Sequence, residues 1–286
     1  MTTPLSDHAY PDSVCSRLDE RSLGLRREIV HALGAGKRGH LAPALSLVEI
    51  LRVLYDTVLR YDPKNPLWNE RDRCILSKGH GCLALYVLLA EKGFFPKEEL
   101  NRFCHTHGIL GGHPEQGKVP GVEASTGSLG HGLPIGIGMA LNARYERSPA
   151  RVFVIAGDGE TNEGSVWEGA LCAGKHQLSN LTLLIDYNKY QSYGPVAEVQ
   201  NLEPLADKWR SFNWAIAEVD GHDVAALEKT LGSLPLDPGK PSAVICHTIK
   251  GAGIKCAEHN LEWHHKSGVK AETVTKLLND LGNGNA

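Results

Sequence analysis

The sequence predicts an α/β fold, a parallel sheet covered by helices on both faces. Three observations predict it. Short apolar runs, "RVFVIA" (151–156), "LTLLID" (181–186), "AIAEVD" (215–220) and "SAVICHT" (242–248), alternate with stretches of helical periodicity, the signature of βαβ units. The runs show little polar alternation, as strands buried on both faces do. Two of them open into turns bearing Asp158 and Asn188, at the strand ends where open parallel sheets bind ligands.

The elements follow in order. Residues 12–35 form a helix with apolar positions Leu18, Leu25, Ile29 and Leu33, closed by glycines. A second helix covers 46–60, through Leu47, Ile50, Leu51, Leu54, Tyr55 and Val58. Further helices are expected over 79–91 and 97–104. The next 28 residues, 105–132, are rich in Gly and His and lack periodicity; loops that long are commonly functional. A buried helix over 129–146 leads into the first of four strands. Helices over 164–177, 223–232 and 271–281 cover the sheet, and "GNGNA" is a frayed end. "LEPLADKWRSF" (202–212) reads as an amphipathic helix, and such a face more often packs the core than meets a partner. Trp167 reads as core packing, and "VDGHD" (219–223) as a turn and helix cap. No repeat or linker divides the chain, so residues 1–286 are expected to form one domain.

Composition excludes several functions. The 286 residues are 42% hydrophobic and carry a net charge of −3, so no basic field favours nucleic acid or an anionic membrane. No apolar run reaches the roughly 18 residues needed to span a bilayer. The seven cysteines form no CxxC; scattered in apolar runs they read as reduced core residues of a cytoplasmic protein. The third glycine of a dinucleotide fingerprint is replaced by Asn162, and no Walker sequence occurs.

The chemistry lies in the glycine loops. Asp158, in Gly157-Asp158-Gly159, and Asn188, 30 residues later, each stand where a strand opens. One carboxylate and one amide oxygen make half of a site for a hard cation. Mg²⁺ takes one or two protein carboxylates and completes its shell with phosphate oxygens and water, so the expected ligand is Mg²⁺ with a diphosphate. The helix N-terminus after Gly159 suits the anion. His40, His80, His113 and His131 each follow a glycine, and His264 follows Trp263. Glycine beside an imidazole lets a ring approach a ligand closely.

The motifs "RDRCILSKGHGCLALYVLLAEKGFF", "GGHPE", "STGSLGHGLPIGIGMAL", "GDGETNEGSVWEGALCAGKHQLSNLTLLIDYNKYQ" and "EWHHKSG" resemble, in order, the N-terminal, thiamine-diphosphate-binding domain of transketolases. The resemblance runs from about residue 20 to the C-terminus and implies that family's pyrophosphate-domain fold. It implies Mg²⁺ (with Ca²⁺ or Mn²⁺ able to substitute) held by Asp158, Asn188 and the backbone carbonyl of Tyr190. Gly159 and Glu160 would lie at the diphosphate with His80 and His264, and Gly127, Ser128 and Leu129 beside the cofactor rings. His40 and His113 match histidines that bind sugar hydroxyls, completing a catalytic set of His40, His80, His113 and His264. Glu163 matches an acid that links paired cofactor sites across a subunit interface.

The chain departs from the family's pattern at Ala42 and His265, where glycines are expected, and at Gly169, where alanine is usual. The resemblance also implies a missing half: the pyrimidine-binding domain, with the glutamate that activates the cofactor, and a C-terminal domain. The expected assembly is a split transketolase, this chain paired with a C-terminal subunit in a homodimer of heterodimers. It would move a two-carbon ketol unit from a ketose or ketose phosphate to an aldehyde. The alternatives are a subunit of another thiamine-diphosphate enzyme (deoxyxylulose-phosphate-synthase-like or 2-oxoacid-dehydrogenase-like), a non-catalytic scaffold, and a nicotinamide oxidoreductase disfavoured by the missing fingerprint.

Overall fold

A computed structural model describes residues 17–282. Its first helix, α1 (Glu20–Gly36), begins eight positions later than the periodicity suggested, because Asp19 accepts the Ser22 N–H at 2.8 Å and caps it there. Residues 12–16 of the expected helix, and Cys15, lie outside the described residues. Then follow β1 (Arg38–Gly39), α2 (Leu41–Leu45) and α3 (Val48–Val53). The helix expected over 46–60 is thus split and shifted: helical backbone starts at Leu41, breaks at Ser46–Leu47 and ends in a π-turn over Leu54–Val58.

The strand β2 (Arg73–Leu76) was not anticipated; it is four residues long and flanked by charges, so it shows no period. A 3₁₀ turn, Gly79–Gly81, leads into α4 (Cys82–Glu91), whose only residue not buried is Glu91. Residues 97–102 form a 3₁₀ helix, and α5 (Gly132–Tyr145) starts three residues late, after Gly130 at φ 79°. Then come β3 (Val152–Gly157), α6 (Gly164–Lys175), β4 (Leu181–Tyr187), α7 (Val196–Val199), α8 (Leu205–Ser211), β5 (Ala215–Asp220), α9 (Val224–Gly232), β6 (Ser242–His247), β7 (Lys266–Ser267) and α10 (Ala271–Asp280). Asp223 caps α9, accepting the Ala226 N–H at 3.0 Å.

The main sheet has five parallel strands in the order β2-β3-β4-β6-β5, one more than the four expected. Successive residues of a strand face opposite sides. Phe153, Ile155, Leu184 and Val244 enter a core shared with α1, α3, α4 and α9. Val152, Val154, Leu183, Ile185 and Ile245 enter a second core beneath α5, α6 and α8. Leu205 and Trp209 bury α8 in that second core, where Trp167 lies 5.0 Å from Trp209, ring to ring. No helix of the described residues is long and apolar enough to cross a membrane. A separate ribbon pairs β1 with β7 antiparallel, tying the N-terminal helical layer to the C-terminal segment.

Candidate functional site

The carboxyl ends of β2, β3, β4 and β6 converge on a cavity of ≈ 250 Å³. Sheet register places the first pair of groups. Gly157 lies opposite Asp186, so Asp158 emerges beside β4 with its carboxylate buried. Its Oδ1 accepts the Gly159 N–H at 2.7 Å, and its Oδ2 accepts the Lys189 N–H. Burial, and then the Asp186 carboxylate, push the Asp158 carboxyl up to about 7. Asn188 donates its Nδ2 to Asp186 at 3.1 Å, which fixes the amide orientation and leaves Oδ1 accepting from the Tyr190 N–H at 3.1 Å. The Tyr190 carbonyl accepts from Lys250 Nζ at 3.3 Å, and the Gln191 carbonyl from the same ammonium at 2.9 Å.

Asp186 is the hub behind this surface. It pairs with Lys78 and accepts from Thr248 Oγ1 and, at 2.7 Å, from Ser46 Oγ. Burial would raise its carboxyl; the Lys78 cation outweighs that and holds it below the usual carboxylate range. Ser46 reaches it because the helix predicted through that position breaks there. Lys250, lowered first by burial and then by Lys78, titrates at about 8.

Four of the glycine-flanked or Trp-flanked histidines meet on the opposite wall. The ring of His40 lies 5.5 Å from His80, 5.8 Å from His113 and 5.4 Å from His264, centroid to centroid. His131 does not join them: it is exposed and its Nδ1 meets the Leu129 carbonyl at 3.0 Å. Burial and neighbouring imidazoles lower His40 to about 4; burial and then Lys250 lower His264 to about 3; burial drives His80 well down as well. The cluster is therefore neutral at pH 7, each ring holding one N–H donor and one acceptor.

Of the remaining predicted residues, Gly127, Leu129, Gly159 and Glu160 line the cavity. Ser128 is exposed and is not among the lining residues. Glu160 faces inward, but its carboxylate is engaged by Ser77 Oγ, the Gly130 N–H at 2.9 Å and the Gly157 N–H at 3.2 Å. It braces three loops rather than offering a free ligand. Glu163 stands exposed at the start of α6, outside the cavity. A larger groove of ≈ 800 Å³ shares Asn188 and Tyr190, yet it lacks Asp158, Lys78, Lys250 and the histidine cluster, so the smaller cavity holds the chemistry.

The family description "Transketolase, thiamine diphosphate binding domain" matches residues 23–285. The chain belongs to the transketolase family. Its relatives include one of the two chains of an apulose-4-phosphate transketolase from Actinobacillus succinogenes, 42% identical over 267 residues, covering 92% of this chain and 96% of that one. A chain of a 6-deoxy-6-sulfo-D-fructose transketolase from a Clostridium species is 40% identical, covering 84% and 88%. The solved Pichia stipitis transketolase with sedoheptulose-7-phosphate superposes with a TM-score of 0.85 at 31% identity. The match covers 92% of this chain, which spans only 40% of that structure's chain. In length this transketolase chain therefore corresponds to the relatives named as subunits, and its α/β sheet is the family's thiamine-diphosphate-binding fold.

The cavity of this transketolase domain fits a diphosphate with a hard cation. Two buried polar atoms on its wall, His264 Nδ1 and Gln191 Nε2, have no hydrogen-bond partner, a costly state unless a ligand completes them. Two cations, Lys78 and Lys250, sit within the wall. The oxygens of Asp158, Asn188 and Tyr190 are the donor type that Mg²⁺ takes. No cluster of three or more His, Cys, Asp or Glu able to hold a metal exists among the described residues, as expected for a set containing one carboxylate, one amide and one carbonyl. Gly127, at φ 143°, packs where a Cβ would meet the His113 ring at 3.1 Å, so only glycine keeps that wall of the pocket open.

Lys78, Asp186, Gln191 and Lys250 were missed from sequence. The signal for Lys78 lay in "RCILSK": with β2 recognised, the lysine stands at a strand's carboxyl end beside Asp158. Lys250 follows β6 by three residues and was equally accessible to that reasoning.

The depressed histidines set a pH dependence. Between pH 6.5 and about 4 the unfolded chain binds protons that His40 in the folded chain refuses, so stability falls as pH falls through that window. The thermal midpoint is expected to drop between pH 7 and pH 5, and H40N should show a shallower drop. Parallel melts of the two proteins measure the difference.

Proposed function

We propose that this chain is the cofactor-anchoring N-terminal subunit of a two-chain transketolase, moving a two-carbon ketol unit from a ketose or ketose phosphate to an aldehyde. One observation carries the reading. A single cavity brings together an Asp/Asn/carbonyl oxygen set, two buried lysines and four neutral imidazoles, in a chain whose relatives of equal length are transketolase subunits.

Asp158, Asn188 and the Tyr190 carbonyl would hold Mg²⁺, with Ca²⁺ or Mn²⁺ able to take its place. Gly159, Lys250, His80 and His264 would bind the diphosphate, and Gly127, Ser128 and Leu129 would border the ring system. Thiamine diphosphate, when bound, supplies the nucleophilic carbon that makes carbon–carbon cleavage feasible. His40 and His113 would hold the ketose by its hydroxyls; being neutral, they can accept one proton and donate another without a change of pH. Lys78 and Asp186 would keep the metal ligands in place by charge and hydrogen bonding.

The partner is a chain carrying the pyrimidine-binding domain and its activating glutamate. Two such pairs would join about a face that includes Glu163 and the exposed apolar side chains Ile135 and Leu171 of α5 and α6, 38% and 58% exposed; exposed apolar side chains of this kind mark contact surfaces when they cluster. The six described cysteines are free, which suits a cytoplasmic setting.

Reconstitution tests the proposal. The chain, mixed with its partner subunit, Mg²⁺ and thiamine diphosphate, should release an aldose from a ketose donor. A complex that binds the cofactor in a metal-dependent way yet cleaves no ketose, and instead consumes pyruvate, overturns the ketol-transfer reading. A complex that binds no cofactor makes the chain a scaffold.

A further inference from the structure

We infer that His265 is a donor-specificity residue, a fifth imidazole at the mouth of the histidine cluster that binds a hydroxyl of the ketose beyond the two transferred carbons. The inference rests on the function proposed above and adds a residue to its donor pocket.

The β1–β7 ribbon puts it there. Arg38 lies opposite Ser267 and Gly39 opposite Lys266. Carrying this antiparallel register one step further sets His40 opposite His265. Side chains directly opposite in such a pair lie on one face, close enough to touch. The two rings do touch, with centroids 4.6 Å apart at 60°, a shorter separation than His40 has from the other three imidazoles. His265 is exposed, whereas His40 is half-buried. It thus approaches the cluster from the solvent side, and it lowers His40 and His113 alike by its charge when protonated. Glycine, which the sequence pattern leads one to expect at this position, would leave that side of the cluster open. A histidine there narrows the entrance and adds one donor and one acceptor. His40 lines the cavity that holds the metal oxygens and His265 does not, so the added groups stand outside His40, where a polyhydroxylated chain would extend toward solvent.

The chemistry that would use this group is a linear ketose with hydroxyls on its third and fourth carbons. A three-carbon donor such as hydroxypyruvate has no hydroxyl there. The test measures the donor half-reaction of the reconstituted complex in single turnover, with ketopentose and ketohexose phosphates and with hydroxypyruvate, for wild type, H265G and H265Q. In H265G, the ratio of kcat/KM for ketose to that for hydroxypyruvate should fall about 5- to 10-fold, the size of one lost hydrogen bond. The loss should lie chiefly in KM, and H265Q, which keeps a donor and an acceptor, should recover part of it. An unchanged ratio in H265G, whether both donors slow together or neither does, overturns the inference while leaving ketol transfer standing. A wild-type complex that cleaves neither donor overturns the proposed function, and the role of His265 falls with it.

Discussion

Replacing Asp158 by asparagine should abolish metal-dependent cofactor binding and, in the same protein stripped of metal, raise thermal stability. The two effects share one cause. Asp158 is buried beside a second buried carboxylate, Asp186, and burial and that neighbour both disfavour its charged form. A divalent cation would offset this charge; in a chelated sample only backbone N–H groups of Gly159 and Lys189 contact it directly. Changing groups that merely support a metal ligand costs roughly 10- to 100-fold in metal affinity, so loss of this ligand should cost more than about 100-fold. Asparagine keeps the shape and one acceptor but removes the charge, and the chelated protein should gain roughly 1–3 kcal/mol, the scale on which uncompensated buried polar groups act. Calorimetric titration with thiamine diphosphate and Mg²⁺ measures the first effect, and thermal melts in chelator measure the second. A D158N protein that binds cofactor within a few-fold of wild type removes Asp158 from the metal site.

Glu49→Ala should be the most destabilising single change in the N-terminal layer, and it should also loosen the site from a distance. The Glu49 carboxylate is fully buried against Arg26, which contacts it through Nη1 and, at 2.9 Å, through Nη2. His222 Nδ1 lies 2.8 Å from the same carboxylate. Burial would raise the Glu49 carboxyl, but Arg26 and His222 hold it well below the usual range. Removing it leaves a guanidinium in the core without its anion, a loss of about 3–5 kcal/mol. The network also grips the loop after β6: Arg26 Nε donates to the Ala252 carbonyl at 2.8 Å, and the Ile249 N–H donates to His222 Nε2 at 2.9 Å. Between those anchors sits Lys250, whose ammonium holds the Tyr190 and Gln191 carbonyls. In urea titrations E49A should therefore show a lower midpoint, and at temperatures where it is folded it should bind cofactor more weakly. E49Q, which keeps hydrogen-bonding oxygen and shape, should lose less of both. Unchanged cofactor affinity in folded E49A would confine the network to stability.

The contrast between what could be read from residues alone and what could not has a physical basis. The β3 and β4 strands and their loops were legible because buried parallel strands write themselves as apolar runs, and glycine beside an acid at a strand end has few other uses. Asp158, Asn188 and four histidines emerged from that pattern, together with the family resemblance. β2 was illegible because four residues between arginine and lysine make too short a window for any period. Its absence hid Lys78. The break at Ser46 was illegible for another reason: local apolar spacing continues through it, and the break is set by Asp186, 140 residues away, which takes the serine hydroxyl. Arg26, Glu49 and His222 each sit in a stretch that reads as a surface position, since pairing that permits burial of charge is a tertiary fact and leaves no local trace. His131 was drawn into the histidine set by the same Gly–His context as the others, which fixes backbone space but not direction.

The ribbon that sets His40 against His265 joins residues 229 positions apart, Arg38 to Ser267. Contacts of that separation are slow to form, since the intervening chain must first be ordered. On the ribosome, the five-stranded sheet is complete once β6 has emerged, with the oxygen ligands already aligned across β3 and β4. The imidazole wall closes only when residues 264–267 leave the tunnel and add to β1. The half of the pocket that would hold metal is thus a product of sheet assembly, and the half that would grip sugar is the last to be made, so a nascent chain truncated before residue 264 should bind no donor.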